Sequence, residues 1–192
     1  MLRQYSGEIG IILNPELFWA VIPPLLLLVY YYRRVAAASL LQLLLCFGLG
    51  ALSGLVALGL EFGFEYLSSW LGWDTRSLTG VALRQLAVIG PIEEGCKLGG
   101  VLLFCQLSRR RDRFRPVTIY MLAIAIALGF TAQENWIYLA NGTASILDRA
   151  IGTPVHAMFA APWGYALARN RRIAKGWINA VVCQALVIAV FN

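Results

Sequence analysis

Apolar residues fall along this chain in long blocks, without the alternation of a half-buried strand or the one-sided stripe of a surface helix. Six blocks can be marked, at about 17–32, 36–60, 86–107, 117–140, 151–167 and 174–191. A helix crossing the ~30 Å hydrocarbon core needs roughly 20 mostly apolar residues, so each block approaches the length of a span. The pattern predicts an all-α, polytopic membrane protein with about six transmembrane helices. Pro23 and Pro24 predict a kink in the first block, because proline lacks a backbone donor and crowds the preceding turn. Residues 61–77, "EFGFEYLSSWLGWDTRS", mix aromatics with scattered charge and read as an interfacial amphipathic segment. No internal repeat or low-complexity tract divides the chain, so residues 1–192 are expected to form one integral membrane domain. The first residues have no clear basic start followed by a small-residue cleavage site, and are read as retained.

Composition agrees with the pattern. The chain is 59% hydrophobic and 14% charged, with mean hydropathy +0.69, which excludes an ordinary soluble domain. A net charge of +6 would suggest nucleic acid if it were spread over a surface. Instead, 11 of the 16 basic residues lie in three places: Arg33 and Arg34, the run 109–115, and the run 169–175. In a six-span arrangement these share one side, which the positive-inside rule makes cytoplasmic, with both termini outside. The charge is then a topology signal; membrane lipids are the expected surroundings and no nucleic-acid partner is expected. Cys46, Cys96, Cys105 and Cys183 sit in apolar runs without metal-type spacing and read as small packing residues.

Against that background the polar residues inside the blocks carry the information, since ionisable groups in hydrocarbon are costly and usually functional. "LAVIGPIEEGCKLGGVLLF", residues 86–104, holds Glu93, Glu94 and Lys97. Glu93 and Lys97 are one helical turn apart and can pair, which is the structural reading. Glu94, about 100° further round, should not share the lysine equally, so an ion pair leaves the second carboxylate unexplained. The fourth block contains "FTAQEN" with Glu134 and Asn135, and the fifth opens "DRAIGTPVHAMFAAPWGYALA" with His156, the single histidine of the chain. Gln133 and Asn135 also fit interhelical hydrogen bonding, and Arg149 fits snorkelling to the interface. At 1.5 Å per residue from the expected outer ends, Glu93 and Glu94 lie about 10–12 Å deep, Glu134 about 9 Å and His156 about 8 Å. Three helices thus bring carboxylates and an imidazole to one layer, a set able to bind a divalent metal or to activate water directly.

In this order and spacing, "EEGCK" as E-E-x-x-K, "FTAQEN" as F-x-x-x-E-N, and the histidine segment resemble the PrsW family of bacterial intramembrane proteases. That family is grouped with the CAAX prenyl endopeptidases and the CPBP membrane proteins. The resemblance covers roughly residues 80–192. It implies a multi-pass protein of the bacterial cytoplasmic membrane that cleaves a single-span substrate, such as an anti-sigma factor, near the outer face. Carried over by position, Glu93 and Glu94 are the glutamate pair, and Glu134 and His156 complete the water or metal site. One departure stands out: the wider superfamily often has a second histidine four residues before a polar residue in the last span. Here Asn192 fits the polar end but Ile188 holds the histidine position, with Gln184 one turn back on the same face.

Amide hydrolysis needs an activated water, a donor for the oxyanion and a proton for the leaving amine. Glu94 is expected as general base and Glu93 as the partner held by Lys97, with the two able to exchange roles. His156 would polarise the carbonyl or protonate the leaving group, and Asn135 or Asn192 would donate to the oxyanion. If a divalent metal such as Zn takes part, Glu94, Glu134 and His156 are the expected ligands. Two other classes compete: a non-catalytic scaffold or pseudoenzyme of the same family, kept alive by Ile188, and a proton-coupled transporter, which also uses buried Glu, Lys and His.

Overall fold

The computed structural model describes residues 15–35, 37–72, 77–108, 114–169 and 173–191, with side chains throughout these except at 78, 79, 82 and 185–191. The amino-terminal stretch read as retained, the Ile188 side chain and Asn192 lie outside the described residues. The helices are α1 (Pro15–Arg34), α2 (Leu40–Trp70), α3 (Leu78–Arg84), α4 (Gly90–Leu107), α5 (Pro116–Ala140), α6 (Ile146–Ala168) and α7 (Ile173–Phe191). A single π turn, Gln85–Ile89, joins α3 to α4. There is no strand among the described residues.

Local chemistry explains where these helices start. Ser39 caps α2 in a reciprocal box with Gln42, and Ser145 caps α6 in the same way with Asp148. Pro116 opens α5, where its missing N–H costs nothing. The helix α1 runs on through Pro23 and Pro24. The expected interfacial segment is corrected in its first part: residues 61–70 continue α2. No proline interrupts this stretch, and the chain turns only at Gly72, whose φ is +67°. At 1.5 Å per residue, α2 is about 46 Å long, more than the hydrocarbon core requires. Its last turns are tied to α3 by an ion pair between Glu65 and Arg84.

The bundle is built around α5, which is buried along nearly all of Thr118 to Gln133. Its closest neighbour is α2. A Cβ on Gly50 would fall on the Ile126 backbone, and one on Gly129 would fall on the Phe47 backbone. These glycines let two helices meet backbone to backbone, which gives dispersion contact where lipid offers no hydrophobic drive. α1 lies antiparallel to α5: Thr118 Oγ1 donates to the Ala37 carbonyl at 2.6 Å near one end, and Asn135 Nδ2 reaches the Ala20 carbonyl at 3.4 Å near the other. Leu41, Leu52, Val56 and Phe62 on α2 project outward from the bundle, as a lipid-facing surface would.

Among the described residues, three helices are long and apolar enough to cross a membrane: α1, α2 and α5. The expected all-helical class is met, and three of the six expected spans are found as such among the described residues. α4 carries Glu93, Glu94 and Lys97 within only 18 residues, and α6 spends positions on Pro154, His156 and Pro162. The helices that fall short include the two that bring the polar residues to the site.

Candidate active site

The site starts from a break in helix geometry. Pro91 has no N–H to give to the turn before it, and its ring crowds the carbonyl four residues back. The chain absorbs this by widening one turn, so that the Gly90 N–H donates to the carbonyl of Gln85, five residues earlier. α4 then resumes and carries Glu93, Glu94 and Lys97 into the bundle.

Lys97 and Glu94 are wholly buried and Glu93 is nearly so. The Lys97 ammonium lies 2.7 Å from Glu94 Oε1 and 3.3 Å from Glu93 Oε2. The expected pairing of Lys97 with Glu93 is thus only half of the arrangement, and the shorter contact is to Glu94. Residues three apart on a helix are neighbours as well as those four apart, and the long lysine stem reaches both. The other oxygen of Glu94 accepts from the Trp163 indole N–H at 2.6 Å, so both Glu94 oxygens are engaged inside the protein. The contacts to Glu93 from the described residues fall on Oε2, where Gln184 Nε2 also donates at 2.8 Å. Gln184 is the α7 side chain on the face of the missing histidine, and it does reach the site.

From α5 and α6 come Glu134 and His156. His156 Nε2 lies 2.8 Å from Glu134 Oε2, while Nδ1 lies 3.3 Å from the Lys97 ammonium and 4.0 Å from Glu93 Oε2. An ionised carboxylate only accepts and an ammonium only donates, so these partners place the ring proton on Nε2 and leave Nδ1 as the acceptor. Phe130 and Phe159 each lie 6.1 Å from the imidazole, centroid to centroid, and hold it from two sides. Phe130 also presents its face to Lys97, 4.2 Å from the ammonium.

Arg149 is more than a snorkelling cation. Its NH2 group donates to Glu134 Oε2 at 2.9 Å, its Nε to Asn135 Oδ1 at 2.6 Å, and its guanidinium covers the Tyr138 ring at 4.5 Å. Asn135 is fully buried and divided between Arg149, Ala20 and Thr153. It braces α5 against α1 and α6, and it is not among the residues lining the cleft. An oxyanion role for Asn135 therefore has no support in this geometry.

Beside the carboxylates opens a cleft of about 240 Å³ between α2, the π turn and α5. Glu93 and Glu134 reach it, together with Glu61, Arg84, Gln85 and Gln133. Sequence reasoning missed Glu61, Gln85 and Trp163. Glu61 sits at the junction of an apolar run with an aromatic stretch, and the length of α2 is what carries it to the site. Trp163 carries no sequence signal of its own.

The expected metal set of Glu94, Glu134 and His156 does not come together among the described residues. Among the described residues no group of three or more His, Cys, Asp or Glu side chains is arranged to hold a metal ion. The reason is local: the Lys97 ammonium already lies between Glu93, Glu94 and His156 Nδ1, and Glu94 is saturated by Lys97 and Trp163. The Nε2 of His156 faces Glu134 and its Nδ1 faces Glu93, so the two carboxylates meet opposite edges of one ring. The donor set as placed does not fit a metal.

Comparison with known proteins gives one finding. A family model described as PrsW family intramembrane metalloprotease matches residues 38–192. No curated protein and no solved structure matches the chain.

Proposed function

The chain belongs to the PrsW family of intramembrane proteases, and from that premise we propose that it hydrolyses a peptide bond of a single-span membrane protein, using water activated by Glu93. The observation that carries this reading is the convergence of Glu93, Glu134 and His156 from three helices, with both carboxylates lining the cleft and the imidazole set between them. Among the described residues Glu93 Oε1 has no partner and Glu93 lines the cleft, whereas both oxygens of the fully buried Glu94 are engaged. The two glutamates accordingly exchange the roles that the sequence suggested: Glu93 is the general base and Glu94 the buried anchor of Lys97.

Glu93 takes a proton from water as the oxygen bonds to the scissile carbonyl carbon, and the carbonyl electron pair moves onto its oxygen. When the tetrahedral adduct collapses, the C–N bond breaks and the proton passes from Glu93 to the leaving nitrogen. His156 Nδ1 accepts from the Lys97 ammonium at 3.3 Å, so the imidazole helps to hold that cation beside Glu93. Glu134 and Arg149 keep that ring in its working tautomer. The family description implies a metal, and the Lys97 ammonium occupies the space between the carboxylates and His156 where one would sit.

The reaction lies toward the outer face. Supporting this, Glu134 is six residues before the end of α5 and His156 ten after the start of α6. The basic residues concentrate at the opposite ends of these helices. A substrate helix must unwind there before its backbone is open to attack.

The test is reconstitution in vesicles with a single-span peptide that carries a Gly-Pro break near its outer end, flanked by fluorophore and quencher. Wild type is expected to cut it, Glu93→Gln to lose about 10²-fold or more, and a chelator to leave the rate unchanged. Activity lost to chelator and restored by zinc would replace this mechanism with a metal-dependent one. No cleavage by wild type of any single-span peptide would favour the non-catalytic reading.

A further inference from the structure

Two buried polar atoms on residues that line the cleft beside Glu93 and Glu134 have no partner among the described residues: the amide nitrogen of Gln133 and the amide oxygen of Gln85. Gln133 is only 8% exposed. A buried amide group without a partner is destabilising and rare in a settled structure. Here a donor from α5 and an acceptor from the π turn, on side chains that line the same cleft, lack partners among the described residues and are closed off from solvent, so each amide must turn toward the cleft to meet a ligand. They do not bond each other.

A substrate helix unwound inside the bilayer has the complementary deficit. Each freed N–H and C=O loses its helical partner and finds no water in hydrocarbon to replace it. A protease acting there lowers this cost by supplying replacement partners. We propose that Gln85 and Gln133 form a backbone-docking subsite: the Gln85 oxygen accepts from one unwound substrate N–H, and the Gln133 nitrogen donates to a nearby substrate carbonyl. The cleft volume of about 240 Å³ is several times the ~30 Å³ share of a single water. Gly54 makes room for this arrangement, because a Cβ there would collide with the Gln133 amide. Recognition through the backbone selects for a segment that can unwind, not for a side-chain sequence. The proposal rests on the hydrolase reading above and names how its substrate is held.

Binding, read separately from cleavage, tests it. The same single-span peptide, labelled for fluorescence, is titrated into vesicles holding the full chain with Glu93→Gln, so that nothing is cut. A peptide series replaces one amide at a time across the break by an ester, which removes that N–H. Gln85→Ala is expected to weaken the all-amide peptide about two- to tenfold, the worth of one neutral hydrogen bond. One ester position should show the same weakening and then be indifferent to Gln85→Ala. Gln133→Leu should weaken the all-amide peptide to a similar degree, as should Gly54→Ala, which crowds the amide without removing it. If Gln85→Ala weakens every ester peptide as much as the all-amide one, or weakens none, the subsite does not exist and water fills the cleft. Coupling at one position with no cleavage by wild type would sink hydrolysis and leave docking standing. Cleavage without coupling would do the reverse.

Discussion

Glu93 and Glu94 are adjacent and chemically identical, yet their surroundings separate them. Glu94 is buried with an ammonium on one oxygen and an indole N–H on the other; Glu93 borders a cleft. Their substitution should therefore fail in different ways. Glu93→Gln is expected to abolish cleavage while the protein still melts near the wild-type temperature in detergent. Glu94→Gln removes one member of a buried ion pair, which costs about 3 kcal/mol or more, and is expected to show mainly as a loss of stability in the same melt. Equal stability of the two variants would contradict the division of roles. Arg149 allows a sharper test. A lysine there keeps the charge but cannot hold Glu134 and Asn135 together, since only the guanidinium offers a planar fork. Arg149→Lys should lower kcat by about tenfold with KM nearly unchanged. A change confined to KM would place Arg149 in substrate binding instead.

At the scale of elements, the π turn decides where the glutamates face. A π turn holds one residue more than an α turn, so everything after it is rotated relative to a regular helix begun at Leu78. Pro91 is the cause, through its missing donor and its ring. Pro91→Ala restores the donor and is expected to let the turn close as α-helix, rotating Glu93 out of the cleft. The expected result is lost cleavage with unchanged or improved thermal stability. Full activity in this variant would show that the turn does not set the register of the site. The helices α2 and α5 act as the fixed frame here, because the Gly50 and Gly129 contacts leave no slack between their backbones.

For the whole molecule, the distribution of charge predicts an orientation. Arg33 and Arg34 end α1, and the site is nearer the opposite end of α5. A membrane-impermeant thiol reagent added to whole cells is therefore expected to label Thr143→Cys, in the exposed turn between α5 and α6, and not Ser39→Cys, between α1 and α2. Both would be made in a chain whose four cysteines are replaced by serine. The opposite labelling would put the site on the cytoplasmic side and end the case for a cut near the outer face.

The helical class, the placement of most helices and the identity of the polar residues were legible in the chain, because hydrocarbon penalises every unpaired backbone group and every charge, and so leaves few readings of a long apolar block. Glu93, Glu134 and His156 stood out for that reason. What the tertiary structure alone decided was who meets whom. Lys97 lies closer to Glu94 than to Glu93, Trp163 completes Glu94, Arg149 locks Glu134, and the added length of α2 brings Glu61 to the cleft. None of these follows from spacing along one helix, since each depends on how separate helices cross and how far a side chain reaches. The site's ingredients are local facts of sequence, while the different surroundings of two neighbouring glutamates are a fact of packing.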